Sequence, residues 1–510
     1  MKHLRQSMSG LHTWGGLLAS WLLFAVLWTG TLAVFDPEIT HWMQPHRQQA
    51  TASPPQSENA DAAMRFLQRE AASAPMWRIE LPSPRSPATA VAWPAGQPGE
   101  WNERVVDTPS GAGIASRESE GGEHFGHFHA DLHGGTLGIW LVALAGLLML
   151  VAAVSGVIVH KRIFSDFFTF RPQAAAQRSW LDGHNASGVL LLPFHLMIAY
   201  TGLACHFMFY MPAALNIHFN GDPNVLRSQI VDSWLLPAAG QPGRLAPVAP
   251  LMQRAEDILG RDSVNLIIVR NPADANATVQ FYRAATDRLA LVADHANFNA
   301  VSGELLGSQT AWNPIGRAFR AMVGLHFAIF GGWTIQILYF LAGLASCAMV
   351  AAGLVLFAVK RRKKYAVAGP AMRAFYQAAE RLNIIAVAGL IGASVAYLWA
   401  NRLLPLEQGG RAYTEMSVFF GVWALSALHA FLRPVGAGWR EQLAAAALLC
   451  LWLPVLDGLT AGAALGTALQ RGDMVPLALD IGVAAIGLGL GLMWLKLRPK
   501  QALSVAAVRA

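Results

Sequence analysis

The feature that most constrains this chain is its number of long apolar segments. A helix needs about 20 mostly apolar residues to cross a lipid bilayer. Only 14% of the residues are charged, whereas soluble globular proteins carry about 25%. The sequence therefore predicts an all-α membrane bundle of about eight transmembrane helices. The apolar segments lie at 15–35, 136–159, 187–210, 333–358, 384–403, 414–432, 441–463 and 475–496.

Basic residues next to these segments predict the topology. They fall on one side of the predicted membrane, which is also the side of the N-terminus, and the positive-inside rule makes that side cytoplasmic. Both termini are then expected in the cytoplasm, and the net charge of +7 reflects topology and not nucleic-acid binding. The basic residues are Lys161, Arg162, Arg171, Arg178, Lys360–Lys364, Arg433, Arg440, Lys496, Arg498 and Lys500.

Two long polar segments, 36–132 and 211–325, are predicted to lie outside the membrane on the opposite side. In each of them a helical pattern is followed by short runs with strand periodicity. We therefore expect two small α+β domains. Residues 97–124 are rich in Gly, Ser, Pro and Glu, which predicts a linker or mobile loop.

Four histidines lie at matching places in the first half of the chain. His12 and His184 share the spacing H-x3-G-x12-T-G, and His133 and His326 share the spacing H-x4-G-x-W. Two shared patterns in the same order indicate an internal repeat, so the first four helices are predicted to be a duplicated helix pair. Small residues explain close helix packing, but ionisable residues in membrane helices are costly and mark function.

The predicted topology sorts these histidines into an inner pair, His12 and His184, and an outer pair, His133 and His326. Diagonal helices of a bundle lie roughly 11–14 Å apart, which suits a planar macrocycle with an imidazole on each side. Two b-type haems with bis-histidine ligation are therefore favoured. Zinc, copper, a proton relay and a structural role stay open as alternatives.

Other polar residues are secondary candidates. His160 and His195 lie near the inner pair and between the two levels, and either could replace a ligand. His206 and His129 are alternative outer ligands. The histidines 124, 127, 129 and 133 form a cluster that could bind a metal or be a solvated, glycine-rich stretch. Arg317 and Arg320 could pair with haem propionates or mark the start of a helix.

The arrangement resembles the PepSY-associated transmembrane family, whose members are often labelled iron-regulated membrane proteins. The expected division is helix one over 1–35, PepSY-like periplasmic domains over 36–132 and 211–325, helix two over 133–162, a cytoplasmic loop over 163–183, helices three and four over 184–210 and 326–364, and a four-helix extension over 365–510. The matching residues are His12 with Gly16, Thr29-Gly30, Asp131–Gly135, His184, Thr201-Gly202, Asn299–Gly307 and Leu325-His326.

Some members of that family are di-haem ferric-siderophore reductases of the bacterial inner membrane. The resemblance implies haem on His12 with His184 and on His133 with His326, and a ferric siderophore or other ferric chelate as periplasmic substrate. The electron donor, cytoplasmic or a quinol, stays open, and no catalytic side chain beyond the haem ligands is predicted. A non-enzymatic envelope sensor or peptide-binding protein, and a metal or siderophore transporter, are the alternatives.

Overall fold

The computed structural model describes most of the chain. The described residues are 2–45, 54–96, 101–114, 117–160, 171, 173, 175–210, 216–217, 234–284, 288–290, 294–470 and 472–497. The predicted cytoplasmic loop 163–183 and the C-terminus lie partly outside these residues.

Within the described residues, the helices are numbered α1 to α15 in chain order. They are α1 Lys2–Ala33, α2 Asp36–Met43, α3 Gln56–Glu70, α4 Glu123–Asp131, α5 Gly135–Val159, α6 Ala176–Leu190, α7 Leu192–Cys205, α8 Phe207–Tyr210, α9 Val248–Leu259, α10 Pro314–Phe327, α11 Gly332–Ala366, α12 Pro370–Leu403, α13 Arg411–Leu432, α14 Val435–Gln470 and α15 Val475–Lys496. Helix α12 contains a π-helical turn, Ile385–Gly389.

In the part of the chain that the structure describes, seven helices are long and apolar enough to cross a membrane: α1, α5 and α11 to α15. The consecutive helices α6 and α7 form an eighth candidate that is bent by 64°. The predicted number of about eight helices is therefore confirmed, and each predicted apolar segment falls in one of these elements.

The bend in the third predicted span was not expected, because the sequence predicts one uninterrupted apolar segment over 187–210. Leu191 separates α6 from α7, and Pro193 occupies the first turn of α7. Proline lacks the N–H that an unbroken helix would need, and its ring clashes with the preceding turn. The chain therefore restarts its helix at Leu192 in a new direction.

The extramembrane strands form one sheet, which corrects the expectation of two separate domains. Their order is β4-β3-β2-β1-β5-β6-β7-β8, and all neighbours are antiparallel. The two segments meet where β1 pairs with β5, with Ile79 opposite Ile267 and both side chains fully buried. The strands are β1 Met76–Glu80, β2 Thr89–Pro94, β3 Trp101–Asp107, β4 Ala112–Ile114, β5 Val264–Arg270, β6 Thr278–Arg283, β7 His295–Asn299 and β8 Leu305–Gln309.

The segment predicted as a linker, 97–124, is also structured where it is described. It supplies β3 and β4, and it then crosses to the C-terminal extension. Arg117 donates to Asn401, and the Tyr397 hydroxyl donates to the carbonyl of Gly121. Polar side chains on the extension thus fix a stretch whose composition alone suggested mobility.

The extension packs on α1 through buried hydrogen bonds as well as apolar contacts. The indole N–H groups of Trp21 and Trp28 donate to Asn383 and Ser394 of α12, at 2.8 and 2.9 Å. Helix α1 also packs on α5 and α11, while α6 packs on α11. The first half of the chain therefore forms one group of spans, with the extension attached along α1.

Candidate functional site

The rings of His12 and His184 meet near the N-terminal end of α1. Their centroids are 6.2 Å apart with planes at 64°. Nδ1 of His12 lies 3.0 Å from the carbonyl oxygen of Ala152 on α5, and Nδ1 of His184 lies 3.0 Å from that of Met349 on α11. A backbone carbonyl accepts the Nδ1 proton, so this hydrogen bond leaves Nε2 as the ligand atom. We call these two residues the N-terminal-side pair.

A second pair of rings lies toward the sheet. His129 on α4 and His326 on α10 have centroids 5.9 Å apart and planes at 27°. Nδ1 of His129 lies 2.8 Å from the carbonyl oxygen of Val26, and Nδ1 of His326 lies 3.2 Å from the Thr201 hydroxyl. We call His129 and His326 the sheet-side pair.

Each of the four rings packs against a helix at a glycine. A Cβ atom built on Gly156 would lie 3.2 Å from His12, and one on Gly353 would lie 3.2 Å from His184. At the sheet side the contacts are tighter, since Cβ atoms on Gly30 and Gly202 would lie 2.5 Å from His129 and 2.9 Å from His326. The glycines therefore make room for the imidazoles, beyond allowing close helix packing.

The sequence pattern pairs His326 with His133, but in the structure the ring next to His326 is that of His129. The ring of His133 instead stacks on His124, with centroids 4.9 Å apart. His133 lies in the turn between α4 and α5 with a φ of 52°, whereas His326 lies in the last turn of α10. The shared H-x4-G-x-W spacing thus compares a turn residue with a helical one.

A different comparison of the sequence relates the two histidines whose rings lie together, His129 and His326. One constant separation relates His129 to His326, Ala152 to Met349 and Gly156 to Gly353. The sequence interpretation ranked His129 as an alternative outer ligand only. The signal that favours His129 is its distance along the chain from Gly156, which equals the distance of His326 from Gly353. The two distances are equal although the turn between α4 and α5 differs from that between α10 and α11.

The spacing of both pairs suits two imidazoles that share one metal. Rings that bind one ion from opposite sides at about 2 Å have centroids roughly 6 Å apart, and the observed values are 6.2 and 5.9 Å. Burial lowers the pKa of His129, and it lowers that of His326 to about 3. Both rings are therefore neutral at pH 7, which is the form that binds metals.

The two pairs lie far apart along α1. His12 belongs to the first pair, and the second pair contacts α1 at Val26 and Gly30. At 1.5 Å per residue these places are ~21–27 Å apart along the helix axis. The four histidines therefore form two separate candidate sites along α1.

The secondary histidines surround these pairs. His160 ends α5 close enough to His12 and His184 to act on both electrostatically, and His206 has the same relation to His129 and His326. His195 is buried between the two levels, where Nε2 lies 2.9 Å from the Ser346 hydroxyl. Because Ser346 occupies its Nε2, His195 fits a ligand role less well than the paired histidines.

The two candidate arginines ahead of His326 differ in environment. Arg317 is exposed. Arg320 is buried, forms a 2.9 Å ion pair with Asp294, and places its guanidinium 4.2 Å from the ring centroid of Trp312. Its charge is therefore already balanced by the sheet domain, and Arg317 is the freer candidate for an anionic group.

The comparisons with known proteins agree with the extent of this site. A sequence model for the PepSY-associated TM region matches residues 9–360. An uncharacterized protein of Pseudomonas aeruginosa is 28% identical over 397 residues, which cover 71% of this chain and 91% of that protein. The family match includes all four paired histidines and ends before the extension.

Proposed function

The chain belongs to the PepSY-associated transmembrane family and is a multi-pass membrane protein, and from that premise we propose that it is a di-haem b-type cytochrome. It would sit in the bacterial inner membrane and move electrons outward to reduce a ferric complex in the periplasm. The observation that carries this proposal is the presence of two imidazole pairs, with centroids 6.2 and 5.9 Å apart, at opposite ends of α1.

The paired residues would hold one haem each, His12 with His184 and His129 with His326. Haem, when bound, supplies a one-electron carrier whose potential depends on its axial ligands and surroundings. The protein's part is to fix the ligands. Carbonyl and hydroxyl groups on neighbouring helices hold each Nδ1, and such partners set the ring orientation and the tautomer.

We also infer that the first half of the chain arose by duplication. The same number of positions separates His12 from His184, Val26 from Ile198 and Gly30 from Gly202 along the chain. A second constant separation is the one that relates His129, Ala152 and Gly156 to His326, Met349 and Gly353. The sheet has the matching symmetry, because β1 to β4 extend from its centre on one side as β5 to β8 do on the other. A duplicated unit explains how both faces acquired similar ligand pairs.

The substrate that we propose rests on the family resemblance and on the predicted topology. Basic residues favour a cytoplasmic location for the N-terminal side, so the sheet side would face the periplasm. The last strand of the eight-stranded sheet, β8, is followed directly by α10, which carries His326. We propose a ferric siderophore as the acceptor and release of Fe²⁺ as the outcome, with a cytoplasmic or quinol donor at the other side.

Absorption spectroscopy of the purified full-length protein tests this function. We expect a red protein with a Soret band, sharp α-bands after dithionite reduction, and about two haems per chain. A folded but colourless protein would refute the cytochrome proposal and leave the sensor or transporter alternatives. The substrate is tested by mixing the anaerobically reduced protein with ferric siderophores, where faster reoxidation than in buffer alone is expected; no acceleration by any of them would refute the acceptor.

The glycine behind His129 provides a finer prediction. Gly30→Ala should lower occupancy of the sheet-side haem, because the added Cβ would meet Nδ1 of His129 at 2.5 Å. Alanine otherwise favours a helix interior by about 1 kcal/mol, so a loss cannot come from helix propensity. Gly16→Ala is the matched control on α1, since nothing lies within 4 Å of its Cβ position. Equal haem content in both variants would contradict the packing role.

A further inference from the structure

A third histidine cluster lies on α4 and the turn that follows it, apart from both pairs. Glu120, His124 and His133 each place one ligand atom within 4.8 Å of the others. Nε2 of His133 lies 3.0 Å from Nδ1 of His124. Two ligand atoms on one tetrahedral ion at about 2 Å lie roughly 3.3 Å apart, so the two nitrogens are already near the separation that a shared metal requires.

The cluster also holds polar atoms that nothing in the described structure satisfies. His124 is fully buried, and its Nε2 has no hydrogen-bond partner among the described residues. Oε2 of Glu120 is equally without one, although the exposed His127 lies 3.9 Å away. Buried polar groups are nearly always paired in native proteins. The nitrogen of His124 that lies beside His133 is Nδ1 and not Nε2, so the atom that points to an absent binding partner is Oε2 of Glu120, which is buried and unpaired beside the two converging histidines.

The C-terminal extension gives this cluster a rigid wall. The ring of Tyr397 stacks on His124 at 4.4 Å and that of Phe419 packs edge-on at 4.7 Å. The residues flanking Glu120 are fixed to the same extension, because Ser119 donates to Glu415 and Gly121 accepts from Tyr397. Ligands held by packing and by outer hydrogen bonds are what a metal site requires.

We propose that Glu120, His124 and His133 form a non-haem site for a divalent first-row transition-metal ion. Two imidazoles and one carboxylate on one face are the ligand set of non-haem Fe²⁺ centres, and imidazole also suits Zn²⁺. Mg²⁺ and Ca²⁺ are disfavoured because they take oxygen ligands. Glu120 keeps 27% of its side-chain surface exposed, so an ion has access from solvent.

The location suggests Fe²⁺ as the natural occupant. His124 and His129 lie on the same short helix, five positions apart, or ~7.5 Å along its axis. The site is thus next to the place where a ferric complex would be reduced, and it would receive the released Fe²⁺. This identification of the ion rests on the proposed function, whereas metal binding itself does not.

Equilibrium dialysis with Zn²⁺ tests the site, because zinc is distinguished from haem iron by elemental analysis. The full-length protein, purified without a histidine tag, is expected to bind one Zn²⁺ per chain, and excess Mg²⁺ should not compete. Glu120→Gln and His133→Asn should each weaken binding at least about ten-fold. Asparagine is chosen because it tolerates the positive φ of position 133. The control is His3→Ala, because His3 is an exposed histidine near the start of α1. This variant should bind Zn²⁺ as well as the unaltered protein does.

Haem content separates this inference from the proposed function. Retention of the haem spectrum by Glu120→Gln and His133→Asn, with loss of zinc, supports the site. Zinc binding unchanged in both variants, or lost equally in His3→Ala, would overturn it. Loss of one haem in His133→Asn would also overturn it, since His133 would then be a haem ligand. A colourless protein that still binds zinc through Glu120 would refute the cytochrome and leave this site standing.

Discussion

Under the proposed di-haem function, the His129→Ala variant is expected to bind one haem instead of two. The ring centroids of His129 and His326 lie 5.9 Å apart, and the carbonyl oxygen of Val26 accepts a hydrogen bond from Nδ1 of His129. Removal of one imidazole from this buried pair would leave the other without its partner, so the proposed sheet-side haem should be lost. Haem per chain, measured as the pyridine haemochrome against protein concentration, should fall by about half.

Combined variants sharpen this test. His326→Ala should remove the same haem as His129→Ala, and the double variant should still retain one. Combining His129→Ala with His12→Ala should remove both, because the second change acts on the other pair. His133→Ala should retain both haems. If His133→Ala loses one haem and His129→Ala loses none, the pairing inferred from the shared sequence spacing is right and the pairing of His129 with His326 is wrong.

The second large effect concerns the extension. Asp457→Ala should lower the free energy of unfolding by about 3–5 kcal/mol, because it leaves the charge of Arg402 buried without its partner. The two side chains form a 2.7 Å ion pair at 1% and 2% exposure. Arg402 also donates to the carbonyl oxygen of Trp42 and lies 3.8 Å over its ring centroid. The loss of stability should therefore affect α2, which carries Trp42, as well as the extension.

Thermal unfolding in detergent at a fixed heating rate measures this effect. We expect the midpoint to fall by roughly 3–5 °C, because the unfolding entropy of a chain this long is about 1 kcal/mol per degree. Glu441→Ala is the control, since the ion pair of Glu441 with Arg433 is exposed on the same group of helices, and its midpoint should not change measurably. An Asp457→Ala midpoint equal to that of the control would show that the buried pair contributes nothing.

Local patterns predicted much of this molecule because they depend on short-range physics. A 20-residue apolar run must form a helix in lipid, since every backbone group needs an internal partner, and each predicted run is helical. Alternating residues likewise predicted β1, β2, β5 and β6 among the described strands, whereas β3 and β4 lie in the segment whose composition predicted a linker. The break at Leu191 was missed because the apolar run continues through it, although Pro193 was the local signal.

The candidate site was predicted to the level of residue type and approximate place. His12, His184 and His326 occupy the pairs, and His129 was among the alternatives. The spacing shared by His133 and His326 gave the wrong ring partner because the positions after His133 are counted from a turn residue. Contacts between rings depend instead on which residues share a helix face. Residues four apart on a helix share a face, and a turn of different length destroys that relation while leaving the sequence count unchanged.

The sequence by itself determined the membrane helices, since these follow from the composition of single segments, and its motifs were enough to show the resemblance to the family. Only the tertiary structure decided which imidazoles meet, that β1 and β5 join two polar segments into one sheet, and that the extension encloses Glu120, His124 and His133. These features depend on contacts between residues distant in the chain. Their cause is the packing of whole elements, which no single segment encodes.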